Sequence, residues 1–493
     1  MRLDSPTSAR WARHTLTVVA LASLTACANF SGIFSQAKPI APQAVGLSQE
    51  AIPAASPALD AQWWKTFGDS QLNTLVDQAL ANNPSLRVAQ ARLQRVQAVI
   101  DSADSATLPQ VNASLDATQQ KYTKNGMVPA PLAGSIRDSG TLQASASWEL
   151  DLFGKNRAAL DAAIGQSRAA QADAQAARMV LASNVARNYF QWVRIQGQLD
   201  VAQRTLAQRQ QAQQLVQDRV KAGLDTALEQ QQSDSALPDA RYQIEALKEQ
   251  EALLVNALTA LTSQPNGALA LVKPAPAAIN TVANSQVEVT SIPLDLLGRR
   301  ADVSAARWRV EAATHDVSNA KAQFYPNINL TAFAGFSSIG LDRLLDTGSD
   351  QWGVGPAIRL PIFEGGRLRA NLKGKTADLD AAIETYNGLV IDAVRDVADQ
   401  LTSTQALRRQ QTEQRAAQSS AESAYAIAVQ RYEAGLGNYL NVLNAETAVL
   451  TQRKLGVDLA ARALDTQVQL IRALGGGYTE PDTSAAATVA AAK

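Results

Sequence analysis

The chain has 493 residues with 45 basic and 45 acidic side chains, so its formal charge is zero and the bulk basic field of a nucleic-acid binder is excluded. One cysteine and two histidines exclude an intrachain disulfide and a Cys/His metal cluster. Hydrophobic residues make up 46%, but about 90 of them are alanine, a composition that leans toward long helices packed through small side chains.

At the N-terminus Arg2, Arg10 and Arg13 give a positive segment ahead of a short apolar stretch, residues 16–24, too short to span a bilayer. It ends in Leu24-Thr25-Ala26-Cys27, which resembles a bacterial lipobox and implies cleavage before Cys27 and lipid on its thiol. The alternative is an ordinary signal peptide followed by a coincidental cysteine. Ala28, rather than Asp, favours sorting to the outer membrane. Removing residues 1–26 takes away three arginines and one aspartate and leaves a mature charge of −2. Past Cys27 there is no run of 18 or more apolar residues. If the mature chain crosses a membrane, it does so as a closed β-barrel.

The remainder is one pattern written twice. Pro109-Gln110-Val111-Asn112-Ala113-Ser114-Leu115 matches Pro326-Asn327-Ile328-Asn329-Leu330-Thr331. Leu152-Phe153-Gly154-Lys155-Asn156-Arg157 matches Ile362-Phe363-Glu364-Gly365-Gly366-Arg367, and Arg219-Val220-Lys221-Ala222-Gly223-Leu224 matches Arg431-Tyr432-Glu433-Ala434-Gly435-Leu436. The first repeat covers residues 62–270 and the second 291–477, with a lipidated segment at 27–61, a Pro/Ala-rich linker at 271–290 and a flexible tail at 478–493.

Each copy holds two segments alternating with period two. In the first, residues 109–122 and 139–153, Val111, Ala113 and Leu115 oppose Asn112, Ser114 and Asp116, and Leu142, Ala144 and Trp148 oppose Gln143, Ser145 and Glu149. In the second, residues 326–338 and 350–363, the alternation recurs; Phe333 breaks it, and Pro356 counts against a strand unless it sits at a bulge. Segments of about ten residues suit transmembrane strands, and a soluble half-buried hairpin alternates in the same way.

Residues 155–264 and 364–474 read as helix, with single runs of about 100 Å at 1.5 Å per residue that demand coiled-coil packing. Leu440, Leu443, Thr447, Leu450, Lys454, Val457, Ala461, Leu464, Val468 and Ile471 recur at steps of three and four. Gly223 and Gly435 interrupt the long runs where tight helix–helix turns are expected. His315 reads as a lone surface or packing residue, and Gly475-Gly476-Gly477 as a helix stop. Trp63-Trp64 reads as packing at a helix start. No enzyme constellation stands out. Eight strands are about the minimum for a spanning barrel, so four per chain implies several protomers combining around a conduit.

Taken together, these motifs resemble the TolC-like outer-membrane efflux factors, in their lipoprotein branch of OprM/NodT type. The resemblance spans residues 63–477 and rests on Asp151-Leu152-Phe153-Gly154, Arg299-Arg300-Ala301-Asp302-Val303, Phe324-Tyr325-Pro326-Asn327-Ile328, Pro361-Ile362-Phe363-Glu364-Gly365-Gly366-Arg367, and Tyr432-Glu433-Ala434-Gly435 with Tyr439-Leu440. It implies a mixed α+β membrane protein and a homotrimer. Four strands per protomer would enter one 12-stranded barrel, and coiled-coil helices would form a periplasmic α-barrel. It also implies an outer-membrane exit duct for drugs or other small molecules, working with a periplasmic adaptor and an inner-membrane pump, without cofactors beyond the lipid on Cys27.

The resemblance assigns Gly223, Leu224, Gly435 and Leu436 to tips that meet the adaptor. It assigns Leu440, Asn441 and Asn444 to the pore constriction. The family often carries acids where Asn441 and Asn444 stand, which puts strong cation selectivity in doubt; both amides hydrogen-bonding across packed helices is the other reading. A second departure is Ala301, where the family usually has proline. The competing class is an envelope-spanning structural coiled-coil lipoprotein or adhesin without channel activity.

Overall fold

The structure is a computed structural model that describes residues 30–46, 60–273 and 296–480. Cys27, its leader, most of the Pro/Ala-rich linker and most of the C-terminal tail lie outside the described residues. Short 3-10 turns at Pro42–Val45 and Trp63–Phe67 lead into α1 (Ser70–Asn82) and α2 (Pro84–Ser105). Then come β1 (Gln110–Lys121), β2 (Ile136–Leu150), α3 (Lys155–Lys221) and α4 (Ala227–Thr262). After a helical turn at Leu296–Arg299 follow α5 (Ala301–Ala322), β3 (Asn327–Ile339), β4 (Asp350–Arg359), α6 (Arg367–Glu433) and α7 (Tyr439–Ala473). Helices α3 and α6 each run 67 residues, far beyond what intrinsic propensity sustains, so packing must hold them.

Two compact units result, each drawing on both halves of the sequence. The first contains residues 30–39, Arg92–Ala170 and Ala306–Tyr386. Its four strands form one antiparallel sheet in the order β1-β2-β3-β4, leaving β1 and β4 as free edges. The register sorts side chains cleanly. One face carries Val111 opposite Ala146, Ala332 opposite Val354, Leu142 opposite Phe336 and Trp148 opposite Leu330. The other carries Asn112 opposite Ser145, Ser114 opposite Gln143, Thr141 opposite Ser337 and Glu149 opposite Asn329. Val111, Trp352, Val354 and Ile358 are all exposed in the single chain.

The structure places both anomalies of the alternation by their cross-strand partners. Phe333 pairs with Gly353 on the polar face, where its ring lies over the glycine; a Cβ there would fall 2.6 Å from Phe333 Cε1. An aromatic ring covering an edge-strand glycine replaces the packing that the glycine lacks. Pro356 pairs in continuous register with Leu330, with no bulge. Strand β2 runs Ile136–Leu150, so Leu152 and Phe153 lie past its end. There Asp151 turns the chain, accepting the Arg157 backbone N–H at 2.7 Å to cap α3. Likewise β4 stops at Arg359, and Ile362 and Phe363 are highly exposed beyond it.

Residues 30–39 strap across this unit. Phe30 meets Phe324 edge-on at 5.5 Å, and Ile33 and Ala37 join the cluster of Val317, Phe324, Leu372 and Ile383. Ser35 Oγ and the backbone N–H groups of Gln36 and Ala37 all donate to Asp380 Oδ1, at 2.6, 3.1 and 3.2 Å. These bonds, that from Ser35 foremost, hold the Asp380 carboxyl below the usual carboxylate range.

Of the described residues, the second unit contains 40–46, 60–91, 171–273, 296–305 and 387–480. Its core gathers Trp63, Trp64, Phe67, Leu72 and Val76 against Val185, Tyr189, Trp192, Leu258 and Val468. The Trp63-Trp64 pair is thus a packing element at the head of α1. Asp69 caps that helix, accepting from Gln71 and Leu72 N–H, while Tyr189 donates to its other oxygen at 2.6 Å. In this unit Arg300 spans Asp302 at 2.7 Å and Asp396 at 3.2 Å, which gives the Arg299-Arg300-Ala301-Asp302-Val303 motif a clamping role at the start of α5.

The ring-over-glycine contact gives a direct expectation. Gly353→Val displaces Phe333 and destabilises the sheet by about 1–3 kcal/mol, as overpacking does. Gly355→Val meets open space, with nothing within 4 Å of its Cβ, and leaves thermal unfolding unchanged. Circular-dichroism melts of the two variants in detergent check the difference.

Candidate functional site

Both long helical hairpins of the second unit turn in the same way. Gly223, at φ +70°, ends α3, and Gly435, at φ +72°, ends α6. The Leu224 N–H reaches back to the Arg219 carbonyl at 2.9 Å, and the Leu436 N–H to the Arg431 carbonyl at 2.7 Å. This is a left-handed glycine cap that satisfies the last helical carbonyls. Thr226 and Glu229 form a reciprocal capping box that starts α4, and Asn438 caps α7 through the Asn441 N–H at 3.1 Å. The caps leave Leu224 and Leu436 pointing outward, 65% and 69% exposed.

Behind these turns sits a polar cluster that sequence reasoning missed. Arg219 on α3 forks onto Asp225, with Nε 3.0 Å from Oδ2 and Nη2 3.3 Å from Oδ1. The same guanidinium lies 4.5 Å over the Tyr432 ring. The Tyr432 hydroxyl donates to Asp225, fastening the first turn to the end of α6. Tyr432 also packs against Tyr439, Val216 and Val442. Burial first, then Asp225, pushes the Tyr432 hydroxyl well above the ordinary tyrosine range. The proton therefore stays on Tyr432 through neutral pH, and the bond is lost only as pH rises beyond the ordinary tyrosine value.

Helix α7 presents two faces near its start. Tyr439, Val442, Glu446 and Val449 are buried in the protomer, whereas Leu440, Asn441 and Asn444 are exposed. Here the buried stripe is shifted by one residue from the expected seam of Leu440, Leu443 and Thr447. Farther along, Ala461, Leu464, Val468 and Ile471 are buried as the periodicity predicts. The shift follows from Tyr439 packing, tilted, beside Tyr432 and from Glu446 pairing with Arg209. It leaves Leu440, Asn441 and Asn444 on a face with no partner in the single chain. His315 is half-buried on α5. Among the described residues, no group of three or more His, Cys, Asp or Glu side chains is placed to hold a metal ion.

Tyr432→Phe removes one buried hydrogen bond and loosens the first turn by about 1 kcal/mol. The check is amide exchange across residues 222–226, which quickens about fivefold if the bond holds the turn and is unchanged if it does not.

Comparison with known proteins places this geometry in a family. A sequence profile described as outer membrane efflux protein matches residues 75–264 and 292–476. Outer membrane protein OprJ of Pseudomonas aeruginosa is 33% identical over 452 residues, covering 90% of this chain and 92% of OprJ. The toluene efflux pump outer membrane protein TtgF of Pseudomonas putida is 34% identical over 418 residues, covering 84% and 85%. The crystal structure of the outer membrane protein VceC from Vibrio cholerae superposes with a TM-score of 0.77 at 36% identity, covering 85% of this chain and 99% of VceC. The chain belongs to the outer membrane efflux protein family and is an efflux channel of the outer membrane, from a family of channels and not of enzymes.

Proposed function

We propose that three copies build one passive exit duct. The observation that carries this reading is the four-stranded sheet, with two free edges and one apolar face. Four strands are too few to close a barrel around a lumen, and three copies supply twelve. Pairing β4 of one copy with β1 of the next removes every edge and turns the apolar face to lipid and the polar face to the lumen. The helices of the three copies then enclose a periplasmic α-barrel. The equal lengths of α3 and α6 suit a duplicated unit that contributes twice per protomer to the wall.

The exposed face of α7 supports the gate reading. Leu440, Asn441 and Asn444 project from the protomer, and threefold symmetry brings them to one axis. Exposed Leu224 and Leu436, at the two glycine turns Gly223 and Gly435, offer apolar contacts to a periplasmic adaptor, which links the duct to an inner-membrane pump. The Arg219–Asp225–Tyr432 cluster ties these turns together and opposes opening. The anchor is lipid on Cys27, three residues before Phe30, which packs against Phe324 just ahead of β3. The cargo is drugs or other small molecules, a class supported by relatives named for multidrug resistance and toluene efflux.

Planar-bilayer recording of the purified protein tests the duct. Discrete conductance from heat-modifiable trimers is expected; a structural coiled-coil lipoprotein conducts nothing. Asn441→Asp combined with Asn444→Asp adds six carboxylates around the axis and shifts reversal potentials toward cation preference. Unchanged selectivity in that double variant removes these residues from the gate.

A further inference from the structure

Among the strand residues on the polar face of the sheet, Phe333 is the one aromatic. Its cross-strand neighbours are small: Ser145 on β2 and Gly353 on β4. The ring leans over Gly353, which accounts for the side turned to the sheet. The side turned away is uncovered, and the residue is 39% exposed. Gly355, the next polar-face position on β4, has nothing within 4 Å of its Cβ position, so the space beside the ring is clear. The neighbouring side chains are tied down along the sheet. Toward the helices, Thr331 donates its hydroxyl to the Gly355 carbonyl at 3.1 Å. Toward the hairpins, Gln351 donates to Gln143 Oε1 at 3.2 Å, across Gly335, which stands between them.

Charge is absent at this level. The charged strand residues of the polar face are Asp116, Arg137, Glu149 and Arg359. The register puts each at least four residues along the strands from the Phe333 row, about 13 Å at the strand rise. Phe333 thus offers an open π-surface on a wet, locally neutral wall. Covering Gly353 explains the ring's inner contact, but it does not explain a second, uncovered glycine beside it.

We infer that Phe333 is a specificity-determining residue of the duct. Its ring, present once per protomer, contacts passing cargo and retains neutral planar aromatic molecules over saturated molecules of the same size. The inference rests on the reading that the polar face lines the lumen of a trimeric barrel. Two aromatic rings attract each other through dispersion and complementary quadrupoles, beyond the area they bury. A saturated ring gains only the burial, and an ion finds no counter-charge at this level to replace its water. The contact is weak, as an exit path requires: cargo must be held loosely enough to leave. Twelve strands leave the ring standing on the wall and the path past it open.

The test titrates the full-length protein in lipid nanodiscs with benzamide and with cyclohexanecarboxamide, two neutral amides of like size that differ in having a π-face. Dissociation constants are read by saturation-transfer NMR, and the same preparations are recorded in planar bilayers. Wild type is expected to bind benzamide about threefold to tenfold more tightly, the range of an aromatic pair. F333L and F333M still cover Gly353, with a saturated side chain, so they are expected to keep their conductance and lose the preference. F333W enlarges the π-surface and is expected to strengthen it. Equal affinities in wild type overturn the inference, as does a preference that survives in F333L or F333M. A wild-type protein that conducts without any preference sinks this inference alone, whereas one that conducts nothing sinks the duct reading beneath it.

Discussion

An unpaired strand edge in hydrocarbon is the constraint on which the rest of this structure depends. Each buried N–H or carbonyl without a partner costs several kcal/mol in lipid, so a sheet with two free edges cannot persist there alone. Strand β1 offers twelve residues and β4 offers ten, and the polar face between them suits water only. The proposed association of three copies answers this constraint by pairing edge to edge.

Within the helical unit, alanine-rich seams supply close packing but little specificity. Two sets of polar contacts stand out against them: Arg219 with Asp225 and Tyr432, and Arg209 with Asp239 and Glu446. Buried ion pairs contribute little net stability, because desolvation offsets attraction, but they hold helices in one relative position. That is what the proposed gate requires. A seam of leucines alone would offer no discrete contact to release, whereas a few directional bonds define one arrangement and can be broken one at a time. The glycine turns satisfy their own carbonyls and leave Leu224 and Leu436 exposed.

Much of the fold was legible because it is written in period. Alternation marked all four strands, and the long helical runs marked α3 and α6. The two irregularities, Phe333 and Pro356, needed cross-strand partners to place: one covers Gly353, the other pairs with Leu330 without a bulge. The strand ends were less legible, since Asp151 ends β2 through a cap that periodicity does not express. At the candidate site, glycine spacing disclosed the turns, and the motifs contained Arg219 and Tyr432. Their function was hidden, because Tyr432 finds Asp225 across 207 residues. Glu446 was hidden for another reason. It falls one residue off the expected seam, where a charged side chain reads as solvated until Arg209 is seen against it.

Amide hydrogen exchange along the two edge strands, in protein extracted from membranes as its native assembly, tests closure most directly. If β4 of one copy pairs with β1 of the next, outward amides of Gln110–Lys121 and Asp350–Arg359 exchange as slowly as those of the central strands β2 and β3. Fast exchange at both edges beside a protected centre would contradict the account, since it would leave an open sheet and no duct.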